Sequence, residues 1–282
     1  MRIDFHTHGK LAKQLPFSTV YTDWLFAQAK SAGLDAICLT EHFNTLQFDE
    51  LYRYIASVSR RAGDCLELEN GLRIFPGMET DVAECGHILS VGPLEAILEL
   101  NRRLAPYKAK GSFLPFAQLM DLFDQYPVTV GCGHPFRAPG HVPEQPVEQL
   151  KRLSFLDLNG KDIALDRART ERLTYALAEK LELPVISGSD THQAVQYGCI
   201  RTKFDKTCTT TKELYGEMQS GTYEIIISEQ AAFQVKTANL LKRALKEVHA
   251  LGGDYVALLM GKESEISGNA LNFKERKRRN AS

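Results

Sequence analysis

The chain has no apolar run approaching the roughly 20 residues that span a bilayer, so no membrane partner is expected. Its opening residues, Arg2 to His6, put an acid and a histidine where the apolar stretch of an export leader would lie. The six cysteines (38, 65, 85, 132, 199 and 208) form no C-x-x-C pair. Several sit in apolar runs such as AICLT and VGCGH, the setting of reduced core thiols, and a cytoplasmic location is the expectation. Charge of one sign is also missing: 34 Lys+Arg against 35 Asp+Glu leave a net charge of -1. Nucleic acid is therefore a less favoured partner than a small molecule. No P-loop, dinucleotide fingerprint or serine-centred nucleophile motif is found.

What remains is ordinary globular composition, with 44% hydrophobic and 24% charged residues in 282, enough for one large α/β domain. Short apolar runs alternate with segments of helical period. The expected strands are 2–6, 35–40, 72–80, 87–92, 128–133, 155–160 and 184–189, with 198–204 and 223–228 as further strands or edges. Helices are expected over 18–31, with Ser18 as N-cap and Gly33 just past its end, then 48–61, 94–103, 115–123 and 163–181. Seven strands with mostly helical crossovers favour a barrel-like α/β fold over a doubly wound open sheet.

One junction is too short for a crossover helix. Only TDVAECG separates Glu79 from His87, so a hairpin with its apex near Ala83 should bring them opposite each other on one face. The segment 92–126 is the longest insertion between strands and the expected site of a substrate-enclosing wall. The barrel is expected over 1–228 and a helical extension over 229–282, where Phe233, Leu240, Leu241, Ala244, Leu245 and Val248 recur at helical spacing. The sequence closes on a basic polar stretch, NFKERKRRNAS, expected to be solvated.

Of the eight histidines, His6, His8, His42, His134 and His192 lie at or just past strand C-termini, where active-site groups of parallel α/β barrels converge. Glu79 and Asp190 lie at two more such ends, and His87 joins them through the hairpin; His141 and His249 fall outside the set. His6 and His8, at i and i+2 of an extended segment, face one side and can grip one ion. GSDTH repeats that spacing with Asp190 and His192. Each motif alone has a plainer reading, as a turn, a helix cap or a hydrogen-bonded core histidine. Six imidazoles and two carboxylates at successive strand ends would form a costly polar cluster without cations. Glycines 77, 133 and 188 leave room for the apposed side chains.

In this order DFHTH, LTEH, PGMET, GHILSVG, GHP and GSDTH resemble the motifs of the polymerase and histidinol phosphatase (PHP) family, over roughly residues 1–205. The resemblance implies a distorted (β/α)7 barrel with two or three divalent ions, zinc, manganese or iron. It implies that His6, His8, Glu79 and Asp190 serve one ion, that Glu79 bridges to a second held by His87 and His134, and that His42 and His192 serve a third. The family often has an acid or histidine soon after H-x-H; here Lys10 and Lys13 stand there, either replacing part of the third ion's charge or facing solvent. Glu41 replaces the family's aspartate and is expected to point away from the ions.

Asp190, His192 and Arg137 are the candidate catalytic residues; Arg137 would either clamp a phosphate or pair with an acid such as Asp162. Asp4, Asp157 and Asn159 share faces with ligands and are expected to support them. The function expected is a metal-dependent phosphoesterase acting on a small phosphorylated metabolite or nucleotide. A nuclease using the same site, an amidohydrolase and an inactive metal-binding regulatory module are the alternatives. Lys108, Lys110 and the basic C-terminal stretch are thin support for a nucleic-acid path. Oligomeric state is not legible.

Overall fold

A computed structural model describes residues 1–261, so the expectation for the basic C-terminal stretch lies outside the described residues. The described residues form eleven strands: β1 (Arg2–Thr7), β2 (Ala36–Leu39), β3 (Ser59–Ala62), β4 (Cys65–Leu68), β5 (Arg73–Asp81), β6 (His87–Val91), β7 (Thr129–Gly133), β8 (Phe155–Asn159), β9 (Val185–Gly188), β10 (Ile200–Lys203) and β11 (Glu224–Ile227). The sheet runs β11-β10-β1-β2-β5-β6-β7-β8-β9. Its far end returns to β1: the Asp190 amide donates to the His6 carbonyl (2.7 Å) and the His8 amide to the Thr191 carbonyl (3.0 Å). The result is a mixed α/β fold around a nearly closed, seven-strand barrel of β1, β2, β5, β6, β7, β8 and β9, with β10 and β11 added antiparallel outside.

The barrel is distorted because β6 runs antiparallel to both β5 and β7, whereas β1–β2, β2–β5, β7–β8 and β8–β9 are parallel. Its interior is filled by Phe5, Phe75, Leu89, Phe155 and Ile186. Space there is tight enough that a Cβ on Gly131 would sit 2.1 Å from the Phe155 ring.

Between strands, Ser18 caps the helix Thr19–Ser31 through the Tyr21 amide, and Gly33 follows its C-cap at φ 82°. The helix Leu94–Arg103 has the bounds its periodicity predicts. The segment 92–126 also carries Phe116–Phe123 and touches the β5–β6 hairpin, Ala83 donating to the Leu114 carbonyl and Phe116 to the Glu84 carboxylate.

Two expectations need correction. The helix from Phe48 ends at Ser57, not Arg61, and Ser59–Ala62 pairs with Cys65–Leu68 instead. Gly63-Asp64 makes the two-residue turn, with Gly63 at φ 64°. The expected helix 163–181 is two helices, Gly160–Leu165 and Arg167–Leu181, divided by Asp166, whose carboxylate caps the second at the Arg169 amide.

The described residues separate into compact units of Met1–Ala238 and Asn239 to Gly261; the helix Ala231–Ala250 spans that boundary. No described helix is long and apolar enough to cross a membrane.

Candidate metal centre

Every candidate ligand reaches one rim of the barrel. His6 and His8 close β1, Glu79 lies near the end of β5, His87 opens β6, His134 follows β7, and Asp190 and His192 follow β9. His42 is drawn in by a bridge to Glu79 just past β2. In the hairpin Glu79 pairs with Leu89 and His87 with Asp81, so the apex falls at Glu84 and the expected direct pairing of Glu79 with His87 is shifted. A shift of two positions preserves the face, and His87 Nδ1 still lies 2.6 Å from Glu79 Oε1.

Glu79 is the hub of the cluster. Its carboxylate is buried and lies within 3.5 Å of five imidazoles: His6 Nε2 at 3.3 Å, His8 Nε2 at 3.5 Å, His42 Nδ1 at 2.8 Å, and His87 and His134 at 2.6 and 3.3 Å. Asp190 Oδ1 lies 3.3 Å from His8 Nε2, and His87 Nδ1 lies 3.0 Å from His134 Nε2. Three sets of ligand atoms converge: His6, His8 and Asp190; Glu79, His87 and His134; and His8, His42 and His192. The second set holds the residues expected around one ion, and the first holds three of the four expected around another, without Glu79. In the third, His8 joins His42 and His192, its ring stacked on His192 with centroids 3.9 Å apart.

The donor set fits divalent ions on a direct structural test. His6 Nε2, His8 Nε2, His42 Nδ1 and Glu79 Oε2 are buried and make no hydrogen bond, an arrangement that costs about 1–3 kcal/mol per group if nothing else satisfies it. Atoms about 2.0–2.2 Å from a shared ion lie about 3–3.5 Å from one another, which is the spacing most of these pairs show.

The electrostatics agree. Burial pushes the Glu79 carboxyl up, but His87, His42 and His6 hold it well below the usual range. Burial opposes the charge on His87, yet Glu79 and Asp81 raise it to about 10. Burial and the Arg137 charge push His134 down to about 4. The buried anions thus draw positive charge onto neighbouring imidazoles, a demand that bound cations would meet by displacing protons.

Two of these residues sit on left-handed backbone, His134 at φ 32° and Asp190 at φ 58°. Such conformations persist where surroundings over-determine them. Here Asp157 Oδ2 accepts from the His134 amide at 3.3 Å, and the His6 carbonyl accepts from the Asp190 amide. Gly188 lets β9 press on β1: a Cβ there would lie 2.2 Å from His6 Cβ.

Surrounding residues orient the ligands. His6 Nδ1 donates to Asp157 Oδ2 at 3.0 Å, leaving Nε2 for the centre. Asp4 Oδ1 accepts from the His6 and Ser189 amides. Glu41 accepts from the Gly9 and His42 amides, and its Oε1 lies 3.7 Å from His8 Nδ1. Asn159 bonds Asp157 and Arg137.

Two supporting residues escaped the sequence reading. Asp81 accepts from His87 Nε2 at 3.0 Å, and its position two residues after Glu79 on one strand was the available signal. Lys161 lies 2.8 Å from Asp190 Oδ1; nothing in GKDIA distinguishes it from a surface lysine.

Arg137 takes the pairing alternative. Its Nε bonds Asp162 (2.9 Å), Nη1 bonds Asp190 (2.8 Å) and Nη2 bonds Asn159 (2.7 Å), so the guanidinium positions Asp190 instead of standing open as a phosphate clamp. Of the lysines after H-x-H, Lys10 does not face solvent but is buried with its ammonium on the Leu46 carbonyl, and Lys13 Nζ lies 3.9 Å from Asp81. Lys108 donates to Asn101 Oδ1 at 2.7 Å. His141 pairs with Glu144 at the surface, apart from the cluster.

A model of the PHP-associated family matches residues 169–223. Among solved structures, PsfC from Pseudomonas syringae PB-5123 is 24% identical with a TM-score of 0.71, covering 86% of this chain and 98% of that one. The lesion-specific endonuclease PfuEndoQ from Pyrococcus furiosus is 16% identical with a TM-score of 0.57, over 79% of this chain and 57% of that one. A two-domain protein from Bacteroides vulgatus containing a predicted PHP-like metal-dependent phosphoesterase is 15% identical with a TM-score of 0.52, over 84% of this chain and 69% of that one. A search of curated proteins finds no match. The fold is that of the PHP-like metal-dependent phosphoesterases. The family match over residues 169–223 and the shared fold support a place in the PHP domain family.

Proposed function

We propose that this chain is a metal-dependent hydrolase of small phosphate esters, a phosphorylated metabolite or nucleotide. The observation that carries this reading is the Glu79 hub, where the buried His6 Nε2, His8 Nε2 and His42 Nδ1 converge on one carboxylate without hydrogen-bonding it. His6, His8, Glu79 and Asp190 would hold one ion, with Glu79 shared to a second held by His87 and His134; His42 and His192, with His8, would hold a third. Such ions, zinc, manganese or iron, supply Lewis acidity and a water of lowered pKa when bound. The protein's own part is to fix geometry. Asp157 and Asp81 hold His6 and His87 in one tautomer and orientation, and Arg137 and Lys161 hold the Asp190 carboxylate. His87 and His42 are the most exposed members of the cluster, at 27% and 14%, and mark its solvent side.

A nuclease is the second reading, supported by the endonuclease of like fold; the engaged Lys108 and the near-neutral charge count against it. The test is elemental analysis of protein purified without chelator, with hydrolysis of an aryl phosphate on the same sample. Two or more bound ions, and turnover lost in Glu79→Gln, are expected. Absence of metal after reconstitution would overturn the site, and salt-sensitive cleavage of an oligonucleotide with no action on small esters would favour the nuclease.

A further inference from the structure

Beside the cluster, a cleft of about 290 Å³ opens between the turn after β7 and the helices Gly160–Leu165 and Arg167–Leu181. His134 and Arg137 line its inner end, so a molecule there would lie against the candidate metal centre. The volume is near the bottom of the roughly 300–1,000 Å³ range of ligand pockets, room for one small body.

The chemistry of its walls is uneven. Phe136, Ala138 and Leu165 supply apolar surface, and Leu165 is 82% exposed at the mouth. Of the carboxylates that line it, Asp162 pairs with Arg137 and Asp166 caps Arg169, while Asp157 bonds His6 and Asn159 through Oδ2 and keeps Oδ1 buried and unpaired. Two donors in the lining are uncommitted. Thr174 is 1% exposed, and its hydroxyl, buried, has no hydrogen-bond partner. The Arg169 guanidinium makes no ion pair or hydrogen bond among the described residues, only its backbone amide being used. A buried hydroxyl left unpaired costs about 1–3 kcal/mol, and a ligand acceptor would recover it. Two free donors over an apolar wall select an anionic oxygen on a compact apolar body.

We propose that this cleft is the leaving-group subsite, and that it recognises a phosphate ester whose small, partly apolar alcohol carries a second anionic group bound by Arg169 and Thr174. This rests on the phosphoesterase reading above and narrows its substrate class to doubly anionic small molecules.

The test separates the two. Benzylphosphonate and 4-(phosphonomethyl)benzoate, which differ only in the added carboxylate, are titrated calorimetrically into manganese-loaded protein; the matching aryl phosphates, with and without the carboxylate, are assayed for turnover in parallel. The carboxylated phosphonate is expected to bind at least tenfold more tightly. That ratio should fall below about threefold in Arg169→Ala and shrink in Thr174→Val, a nearly isosteric change that removes only an unpaired hydroxyl and should not lower the melting temperature. Equal binding of the two phosphonates, or a preference surviving both substitutions, overturns the subsite even if both esters are hydrolysed. The binding preference with no turnover of either ester retains the anion subsite and sinks the phosphoesterase reading on which its leaving-group role depends.

Discussion

Asp157→Asn should weaken binding at the first ion position without unfolding the barrel. Asp157 Oδ2 accepts from His6 Nδ1 at 3.0 Å, from Asn159 Nδ2 at 2.9 Å and from the His134 amide at 3.3 Å. An asparagine can keep an acceptor there at nearly unchanged volume, so the fold retains its contacts. What is lost is the charge: hydrogen bonds to charged groups contribute about 1.5–3 kcal/mol against about 0.5–1.5 for neutral ones. The His6 bond should therefore weaken by about 1–1.5 kcal/mol, near a tenfold effect. Loss of orientation at the His134 amide, on strained backbone, adds to it. The expected result lies in the 10–100-fold range typical of such supporting groups. Competition against a chromophoric chelator measures the affinity, and thermal melts of the metal-free protein measure the fold. Unchanged affinity in a folded variant would refute the positioning argument. A large fall in the metal-free melting temperature would show Asp157 to be chiefly structural.

Gly188→Ala should be poorly tolerated, because the new Cβ meets His6 Cβ at 2.2 Å and the His6 nitrogen at 2.9 Å. A destabilisation of about 1–3 kcal/mol and weaker metal binding are expected in urea melts and the same chelator competition. Arg137→Lys should lower kcat/KM about 10–100-fold without rescue by the retained charge, since an ammonium cannot serve Asp162, Asp190 and Asn159 in one plane; near-wild-type kinetics would contradict this. Asp35 offers a pH test remote from the site: burial raises its carboxyl, but Arg2 brings it net below the ordinary 3.8. Its stabilisation should therefore be fully present above about pH 4 and fade as pH falls through the lower folded value. For this partly exposed pair the effect should be under about 1 kcal/mol, and an Asp35→Asn difference that grew on acidification would reverse the sign.

Much of the fold was legible because burial writes strands as short apolar runs. All seven barrel strands lie within two residues of their expected bounds, since apolar residues such as Ile3 and Phe5 inside the barrel, or Ile74 and Met78 on the opposite face of β5, must be buried. The β3–β4 hairpin was not legible: Ser59–Ala62 is polar, half exposed, and continues the helical pattern of the residues before it. Only Gly63-Asp64 marked the turn. The candidate ligand positions could be located because strand ends follow apolar runs. Their supporting partners depend on tertiary registry, which is why Arg137 remained divided between two roles until its three partners were in place.

The antiparallel β6 explains why so short a connection contributes a ligand at all. In a strictly alternating barrel each strand offers its C-terminal end to the active rim, and each return needs a crossover helix. The β5–β6 connection instead reverses at Glu84, so β6 presents its first residue, His87, at the rim where β5 presents Glu79. β7 then runs antiparallel to β6 and brings Gly133 opposite His87, which delivers His134 one residue later. Three consecutive strands thus supply the whole Glu79–His87–His134 set. The other sets draw on β1, β2 and β9, whose mutual order is maintained by parallel pairing and by the closure at Thr7 and Thr191. Glu79 is common to both halves of the rim. An error of one residue in the hairpin register would turn His87 to the opposite face, whereas the two-residue difference from the symmetric pairing leaves it on the face of Glu79. Registry at this hairpin is therefore the local feature on which the integrity of the Glu79–His87–His134 set most directly depends.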